Sequence, residues 1–409
     1  MSKKRLMPET FDIPIQKIRR GYYSAVYFWR EKQILEKLKY DKRVLMQMFQ
    51  KNNAILCGTD EAIAVLRLCG GYYLNGPKAY KLFDEYISIE RQIRAVMNYI
   101  GFEEAIKLMK RKMHLELELE QLWEYAIINL DIEALYDGDS IDPWETVMTI
   151  EGLPQYFAHL ESVYLGILAR RTLVATNVSK VVRAAQGKPV FFFADRFDHY
   201  ENQTGDGYAA MVGGAYGVAT DIMGQWWGAK GAGTMPHALI ACFNGNTASA
   251  TLAFAASYPN IPCISLVDFE NNCVKTAIEV AQAMRSNGLS LYAVRLDTSE
   301  NMIDQSIINL DQMGREKPIG VNPLLVRNVR SALDAKRFQN VKIIVSGGFN
   351  EHKIEYFEKN KVPVDAYGCG SSLLKGSNDF TADIVMVDDK LCSKTGRKYN
   401  PNSKLKPVL

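Results

Sequence analysis

One histidine in the sequence is placed where it could carry proton or phosphoryl chemistry. His237 ends the segment Gly233-Thr234-Met235-Pro236-His237, and the apolar run 238–243 follows it. An imidazole with an unperturbed pKa of about 6.5 can exchange protons or accept a phosphoryl group near neutral pH. A histidine that only hydrogen-bonds inside a core would fit the same pattern, and a single match of this kind seldom carries chemistry. The residues around it therefore decide between the two interpretations.

Charged residues and glycines recur where predicted strands end. Apolar strands that alternate with helical stretches, such as 274–284 and 324–337, predict a parallel sheet covered on both faces. In a β/α barrel the C-terminal strand ends converge on one mouth, and an open doubly wound sheet places its ligand crevice at the same ends. Both architectures therefore gather the same residues. The strands predicted at 189–193, 261–267, 291–294, 341–345 and 364–367 are followed by Arg196, by Asp268, by Arg295 and Asp297, by Gly347 and Gly348, and by Gly370.

These residue types favour chemistry on a sugar phosphate. Arg196 and Arg295 can clamp a carboxylate or phosphate with two hydrogen bonds. Asp268 and Asp297 can hold ribose hydroxyls, or a magnesium ion through water. Glycine turns that lead from a strand into a helix form anion cradles. No zinc-ligand spacing, P-loop, GxGxxG or Ser-His-Asp signature occurs in the chain.

The composition is that of an ordinary globular protein. The 409 residues, 47% of them hydrophobic and 23% charged, suggest two or three domains. The net charge of +3 gives no argument for nucleic-acid binding, and no apolar run approaches the roughly 20 residues of a membrane span. Seven dispersed cysteines without a framework spacing indicate reduced thiols. We expect a soluble cytoplasmic protein that binds neither nucleic acid nor membrane.

The first half of the chain contains patterns that predict several helices and strands. A helix with an aromatic cluster is predicted over 14–39, and short strands of a small α/β layer over 40–80. Residues 81–137 read as mainly helical because they are highly charged and contain neither proline nor glycine between Gly101 and Gly138. A long helix over about 160–185 is predicted to lead into the next domain.

The strand-end motifs together resemble the nicotinate phosphoribosyltransferase family, especially its compact archaeal and bacterial type. The similarity reaches back to 18–28 and 150–152 and forward to 393–398, whereas the helical stretch at about 85–137 lies outside it. The motifs that carry the resemblance are Gly233-Thr234-Met235-Pro236-His237-Ala238, Val294-Arg295-Leu296-Asp297-Thr298, Val345-Ser346-Gly347-Gly348 and Tyr367-Gly368-Cys369-Gly370-Ser371.

The resemblance implies an α/β fold with two parts. One is an irregular β/α barrel of the type II phosphoribosyltransferase kind, expected over 151–375. The other is an N-terminal α/β sandwich domain over 1–150, which contains the helical insertion at about 85–137. The C-terminal segment 376–409 is expected to return to the sandwich domain.

The resemblance also implies an activity in NAD biosynthesis. The family couples nicotinate to phosphoribosyl pyrophosphate, giving nicotinate mononucleotide and pyrophosphate, while ATP is hydrolysed through a phosphohistidine. His237 is the residue expected to be phosphorylated. Mg²⁺ would accompany phosphoribosyl pyrophosphate and ATP, and no residue is assigned as its direct ligand.

Individual residues acquire expected roles from the same resemblance. Thr234, Arg295 and Ser371 match substrate-contacting positions. Tyr27 matches an aromatic residue that stacks on the pyridine from the neighbouring subunit, which implies a homodimer with shared sites, and Phe193 would form the other side of the sandwich. The positions at strand ends, rather than the resemblance, add Asp268 and Asp297, which complete the expected catalytic set with His237 and Arg295. Arg196, Ser346, Gly347, Gly348 and Gly370 complete the expected substrate-binding set.

Departures from the family pattern leave alternatives open. In 193–197, Asp195 stands where relatives commonly carry a further arginine, and Ala25 stands where they often carry an aspartate. An enzyme that uses nicotinamide is therefore an alternative, because one arginine fewer suits a neutral amide. A quinolinate-using enzyme is a further alternative, although it would need a more basic pocket than this sequence offers. A catalytically silent nucleotide-binding relative is another, although it would not need His237, Arg295 and both glycine turns. His199 could restore the lost positive charge or be a surface residue.

Overall fold

A computed structural model describes residues 4–99, 102–308 and 317–408, with α-helices and β-strands numbered here in chain order. The helices are α1 Ile15–Arg19, α2 Val26–Lys37, α3 Thr59–Cys69, α4 Gly76–Tyr99, α5 Phe102–Gln121, α6 Glu161–Ala184, α7 Gln203–Val212, α8 Asp221–Gly224, α9 His237–Cys242, α10 Thr247–Ser257, α11 Cys273–Ser286, α12 Pro323–Ala335 and α13 Glu351–Lys359. The strands are β1 Val44–Gln50, β2 Ala54–Ile55, β3 Gly71–Tyr73, β4 Trp123–Tyr125, β5 Asp131–Ala134, β6 Ser140–Ile141, β7 Met148–Gly152, β8 Val190–Phe192, β9 Gly217–Val218, β10 Ile264–Leu266, β11 Ala293–Leu296, β12 Lys342–Val345, β13 Ala366–Cys369, β14 Phe380–Val387, β15 Lys390–Leu391 and β16 Lys406–Pro407.

The chain forms two compact units. Unit 1 comprises the described residues up to Thr172 together with those from Ser377 onward, and unit 2 comprises those from Leu173 to Gly376. The division lies inside α6. None of the described helices combines the length and the apolar character needed to cross a membrane.

Unit 1 is built on an antiparallel sheet in the order β15-β14-β1-β7-β5-β16. Strand β1 is almost wholly buried because β14 from the C-terminal segment pairs along one of its edges and β7 along the other. Met48 of β1 and Ile150 of β7 share one hydrophobic core with Leu66 of α3 and Leu168 of α6. Helices packed on a sheet in this way bury the apolar face of each.

Two helix predictions in unit 1 require correction. The helical stretch expected at about 85–137 begins earlier, at Gly76, and ends at Gln121, and the strands β4 and β5 follow. Strand β4 exists because it pairs with β3, some fifty positions upstream, and β5 because it pairs with β7 and β16. The residues of β4 and β5 alone do not predict these strand partners, which are distant in sequence. The single helix expected over 14–39 is two helices, because Gly21 between them adopts a left-handed conformation with φ of 72°.

Unit 2 is built on a parallel sheet in the order β10-β11-β12-β13-β8-β9. The expected strands β8, β10, β11, β12 and β13 are confirmed, and helices lie between them in the chain. The first strand of unit 2, β8, pairs with β13, the last strand of the unit. This pairing occurs in a barrel and not in a doubly wound sheet. Within the described residues no pairing joins β9 to β10. The fold class is therefore α/β, with a parallel half-barrel and an antiparallel sheet domain.

Candidate functional site

The C-terminal ends of the half-barrel strands surround a cavity of about 520 Å³. We call it the strand-end cavity. A volume of this size suits a small-molecule ligand. The predicted site residues that line it are Phe193, Arg196, Thr234, His237, Arg295, Asp297, Ser346, Gly347, Gly348, Gly370 and Ser371.

His237 is paired with a buried carboxylate. It is the first residue of α9, and its Nε2 lies 3.1 Å from each carboxylate oxygen of Asp268. The Asp268 side chain, just after β10, is 7% exposed and is not among the residues that line the cavity, so it joins the site through the histidine. The hydrogen bond that His237 donates to Asp268 raises the pKa of the imidazole; burial opposes this rise, and the charges of Asp268 and Asp297 add to it. His237 is not a histidine that only hydrogen-bonds inside a core, because its imidazole is 42% exposed and lines the cavity.

Arg295 is held by three neighbours. Its Nε donates to Ser346 Oγ at 2.8 Å and its Nη1 to Thr234 Oγ1 at 3.2 Å, while Nη2 lies 3.5 Å from Asp297 Oδ2. A guanidinium has five N–H groups, so others stay available to a ligand. The guanidinium carbon also lies 5.1 Å from the centre of the Phe193 ring. Arg295 is therefore a rigid cation beside an aromatic face.

Ser346 links this arginine to the neighbouring carboxylate. Its hydroxyl accepts from Arg295 Nε and donates to Asp297 Oδ1 at 2.7 Å. The residue is 3% exposed, although it contributes to the cavity lining. The hydroxyl is thus used to position two charged groups, and its expected contact with substrate stays a prediction.

The two glycine turns differ from each other. Gly347 and Gly348 have φ of 84° and 69°, the left-handed region in which glycine is favoured. The Glu300 carboxylate lies against Gly348, where a Cβ would come within 1.7 Å of Oε1. The expected binding of a phosphate by this turn stays a prediction.

The second glycine turn makes room for aromatic rings. A Cβ on Gly368 would come within 2.8 Å of the Phe193 ring, and one on Gly370 within 2.6 Å of the Phe197 ring. Phe197 is 47% exposed and lines the cavity, with the Arg196 guanidinium 5.6 Å from its ring centre. Phe197 is not among the predicted site residues; in the sequence it is marked only by its position next to Arg196, in the segment that departs from the family pattern.

Further residues complete the comparison with the sequence. Asp195 lines the strand-end cavity, as do Ala219 and Ala232, which no sequence pattern identified. His199 is 60% exposed, hydrogen-bonds the backbone N–H of Glu201, and is not among the lining residues. Tyr27 belongs to unit 1, where it is 66% exposed on α2. Its stacking role stays a prediction.

Asp297 could contribute to binding a metal ion whose other ligands come mainly from the substrate. Within the described part of the chain, no group of three or more histidine, cysteine or acidic side chains could hold a metal. Asp297 accepts from Ser346, yet a carboxylate has about four acceptor positions in all. Mg²⁺ is commonly bound by one or two carboxylates plus substrate phosphates. Asp297 therefore fits the expected Mg²⁺ as one such oxygen donor.

Comparisons with known sequences identify nicotinate phosphoribosyltransferases as relatives. The chain is 28% identical over 260 residues to nicotinate phosphoribosyltransferase pncB1 of Mycobacterium tuberculosis (strain ATCC 25618 / H37Rv), covering 62% of this chain and 52% of that protein. It is 22% identical over 245 residues to the nicotinate phosphoribosyltransferase of Bacillus subtilis (strain 168), covering 59% and 45%. The chain thus spans about half the length of the curated relatives it matches. No protein-family model matches it.

Comparisons with solved structures cover nearly the whole chain. The nicotinate-nucleotide pyrophosphorylase of Pyrococcus furiosus superposes with a TM-score of 0.69 at 27% identity, over 96% of this chain and 82% of that one. Human nicotinic acid phosphoribosyltransferase superposes with a TM-score of 0.64 at 16% identity, over 94% and 80%, and this second likeness concerns the fold alone.

The parallel half-barrel and the antiparallel sheet match the fold of type II phosphoribosyltransferase structures. The relatives with this fold include nicotinate phosphoribosyltransferases and a nicotinate-nucleotide pyrophosphorylase, to which the chain is similar at 22–28% identity.

Proposed function

We propose that this protein transfers the phosphoribosyl group of phosphoribosyl pyrophosphate to nicotinate, with ATP hydrolysis coupled through His237. The observation that carries the proposal is the strand-end cavity, which brings His237, Arg295 and the Gly347-Gly348 turn together. A cytoplasmic location accords with seven unpaired cysteines.

Arg295 and Phe193 are proposed to hold the pyridine ring. The planar guanidinium suits the nicotinate carboxylate, since the two can form parallel hydrogen bonds. Phe193 offers its face beside that guanidinium. In a homodimer, Tyr27 of α2, an exposed residue, would supply the opposite ring face to the neighbouring subunit's site.

The remaining charges suit the ribose and its leaving group. The pyridine nitrogen forms a bond to ribose C1 as the bond to pyrophosphate breaks, through an oxocarbenium-like state. Asp297 would hold the ribose, while Arg196 and the backbone of the Gly347-Gly348 turn would bind phosphate oxygens. Mg²⁺ would neutralise charge on the departing pyrophosphate. A preorganised donor in such a site is commonly worth about 3 kcal/mol or more in the transition state.

His237 is proposed to carry the phosphoryl group of ATP. Asp268 holds Nε2 and so leaves Nδ1 as the free ring nitrogen. Nδ1 would form a bond to the γ-phosphorus as the bond to the ADP oxygen breaks, and water would later release phosphate. The buried carboxylate balances the positive charge that develops on the ring, and it keeps the proton on Nε2.

A nicotinamide-using enzyme is the second candidate. Asp195 lines the strand-end cavity, and a carboxylate there disfavours the anion of nicotinate while it can accept a hydrogen bond from a neutral amide. The two candidates differ only in the pyridine, so one assay separates them.

The test is product formation from purified full-length protein, phosphoribosyl pyrophosphate and Mg²⁺ with nicotinate, nicotinamide or quinolinate, each with and without ATP. We expect nicotinate mononucleotide, formed faster with ATP. His237→Ala should remove the ATP stimulation and the acid-labile label from γ-labelled ATP, yet leave slow ATP-independent turnover. His199→Ala, which alters an exposed histidine, is the matched control. Full ATP stimulation of His237→Ala would contradict the assigned role. No product from any pyridine would support a silent relative.

A further inference from the structure

Unit 1 contains a second cavity, of about 500 Å³, that the proposed reaction does not use. We call it the tyrosine cavity. None of its lining residues contributes to the strand-end cavity. Its volume lies within the range of about 300–1,000 Å³ found for small-molecule sites. The lining comes from the second half of α2, from β3, from the first turns of α4, and from Gln155 and Tyr156.

Four tyrosines supply the aromatic part of the lining. Tyr72 and Tyr156 stack with their rings 15° apart and their centres 5.7 Å apart. Tyr73 and Tyr80 meet edge to face, with centres 6.2 Å apart. Tyrosine faces bind planar rings by stacking. The cavity therefore suits a ligand with a flat, unsaturated ring.

The charged part of the lining is positive. Apart from tyrosine, its ionisable side chains are Lys32, Lys37, Lys39 and Glu36, three cations and one anion, with a net charge of 3 − 1 = +2. Lys32 is buried at 1% exposure, and its ammonium already donates to the carbonyls of Gly71 and Gln155 and pairs with Glu36. Because Lys32 and Glu36 neutralise each other, the net positive charge of the lining comes from Lys37 and Lys39, and it favours an anionic ligand.

Lys37 and Lys39 are available to such a ligand. Both are exposed, and neither forms an ion pair with a residue in the described part of the chain. Lys39 adopts a left-handed conformation with φ of 50° just after α2 ends, where glycine or asparagine is usual. A lysine in this conformation is strained, and such strain is often found at ligand sites.

We propose that the tyrosine cavity is a nucleotide-binding site, separate from the site of phosphoribosyl transfer. The base would stack on the tyrosines, and the phosphate would pair with Lys37 and Lys39. A purine and a pyridine nucleotide share this chemistry, so both are tested. The site does not depend on the proposed reaction, because its residues take no part in it.

The experiment measures binding of three probes to the full chain by isothermal titration calorimetry: AMP, nicotinate mononucleotide and inorganic phosphate. The proteins are the wild type, Arg295→Ala, the double variant Lys37→Ala with Lys39→Ala, and a control double variant, Lys42→Ala with Lys51→Ala. The control removes the same charge from exposed lysines that do not line the cavity. Unfolding midpoints of both double variants show whether each is folded.

We expect at least one of the two nucleotides to bind wild type, Arg295→Ala and the control alike. The Lys37/Lys39 variant should bind that nucleotide about tenfold or more weakly, since hydrogen bonds between charged groups are worth about 1.5–3 kcal/mol. Phosphate alone should bind more weakly than the nucleotide, because it lacks the stacking ring. The proposal is overturned if neither nucleotide binds to Arg295→Ala, if the two double variants behave alike, or if phosphate binds as tightly as the nucleotides.

Discussion

Replacing Ser346 by alanine removes the hydroxyl between Arg295 and Asp297. That hydroxyl accepts from Arg295 Nε at 2.8 Å and donates to Asp297 Oδ1 at 2.7 Å, and the serine is 3% exposed. After the substitution Arg295 keeps Thr234 as a hydrogen-bond acceptor, and it keeps Asp297 only at 3.5 Å. The guanidinium would remain in the cavity with its plane no longer fixed.

A hydrogen bond to a charged group contributes about 1.5–3 kcal/mol, and each 1.4 kcal/mol is a factor of about ten. If one such bond supports the transition state, Ser346→Ala should lower kcat/KM for the pyridine substrate by about 10- to 100-fold. The loss should appear with the pyridine as the varied substrate, because Arg295 is proposed to hold that ring. Steady-state kinetics with each substrate varied in turn measure it.

Ser265→Ala is the matched control. Ser265 is a buried serine like Ser346 and lies on β10. Its hydroxyl bonds to Thr251 at 2.7 Å, and neither of these two residues lines the strand-end cavity. The control should lose stability with little change in kcat/KM. If Ser346→Ala is as active as wild type, or if both variants lose activity only in proportion to their stability, the positioning argument is refuted.

Three further predictions test other parts of the structure. Asp268 raises the pKa of His237, so the stabilisation from this pair is complete below the unperturbed pKa of histidine and is lost as pH rises through the higher folded-state pKa. The difference in unfolding free energy between wild type and Asp268→Asn should therefore shrink from about pH 5.5 to about pH 8.5, and a constant difference would contradict the pairing. Gly348→Ala should destabilise the protein by about 1–2 kcal/mol from its left-handed conformation alone, and adding Glu300→Ala should recover only the part due to the close contact, as denaturant unfolding would measure. Asp304→Asn should cost about 2 kcal/mol by the same measurement, because this fully buried carboxylate accepts hydrogen bonds from two backbone N–H groups, and an unchanged midpoint would refute this.

The parallel strands of unit 2 could be predicted because they are short apolar runs followed by charged residues or glycine. The edge strand β9 could not, since it has only two residues, Gly217 and Val218, and no apolar run. The end of α5 could not be predicted either, because the strand that follows it, β4, forms only by pairing with β3, which is far away in sequence. Whether the sheet was a barrel or doubly wound depended on the pairing of β8 with β13, which spans most of unit 2.

Within the site, residue types could be predicted better than their contacts. The strand-end rule placed Arg295, Asp297 and the glycine turns in one cavity, as observed. It did not show that Ser346 is used to position its neighbours, or that Gly370 makes space for Phe197. Both facts follow from how side chains of different strands pack, and a sequence pattern carries no record of that packing.

The central claim is tested most directly by single-turnover formation of nicotinate mononucleotide from nicotinate and phosphoribosyl pyrophosphate, in wild type and in Arg295→Gln. Arg285→Gln is the matched control, because Arg285 lies on α11 and does not line the strand-end cavity. We predict product from wild type and the control, and a loss of about 100-fold or more in Arg295→Gln, the scale of removing one preorganised donor. Undiminished product from Arg295→Gln, or none from wild type, would contradict the account.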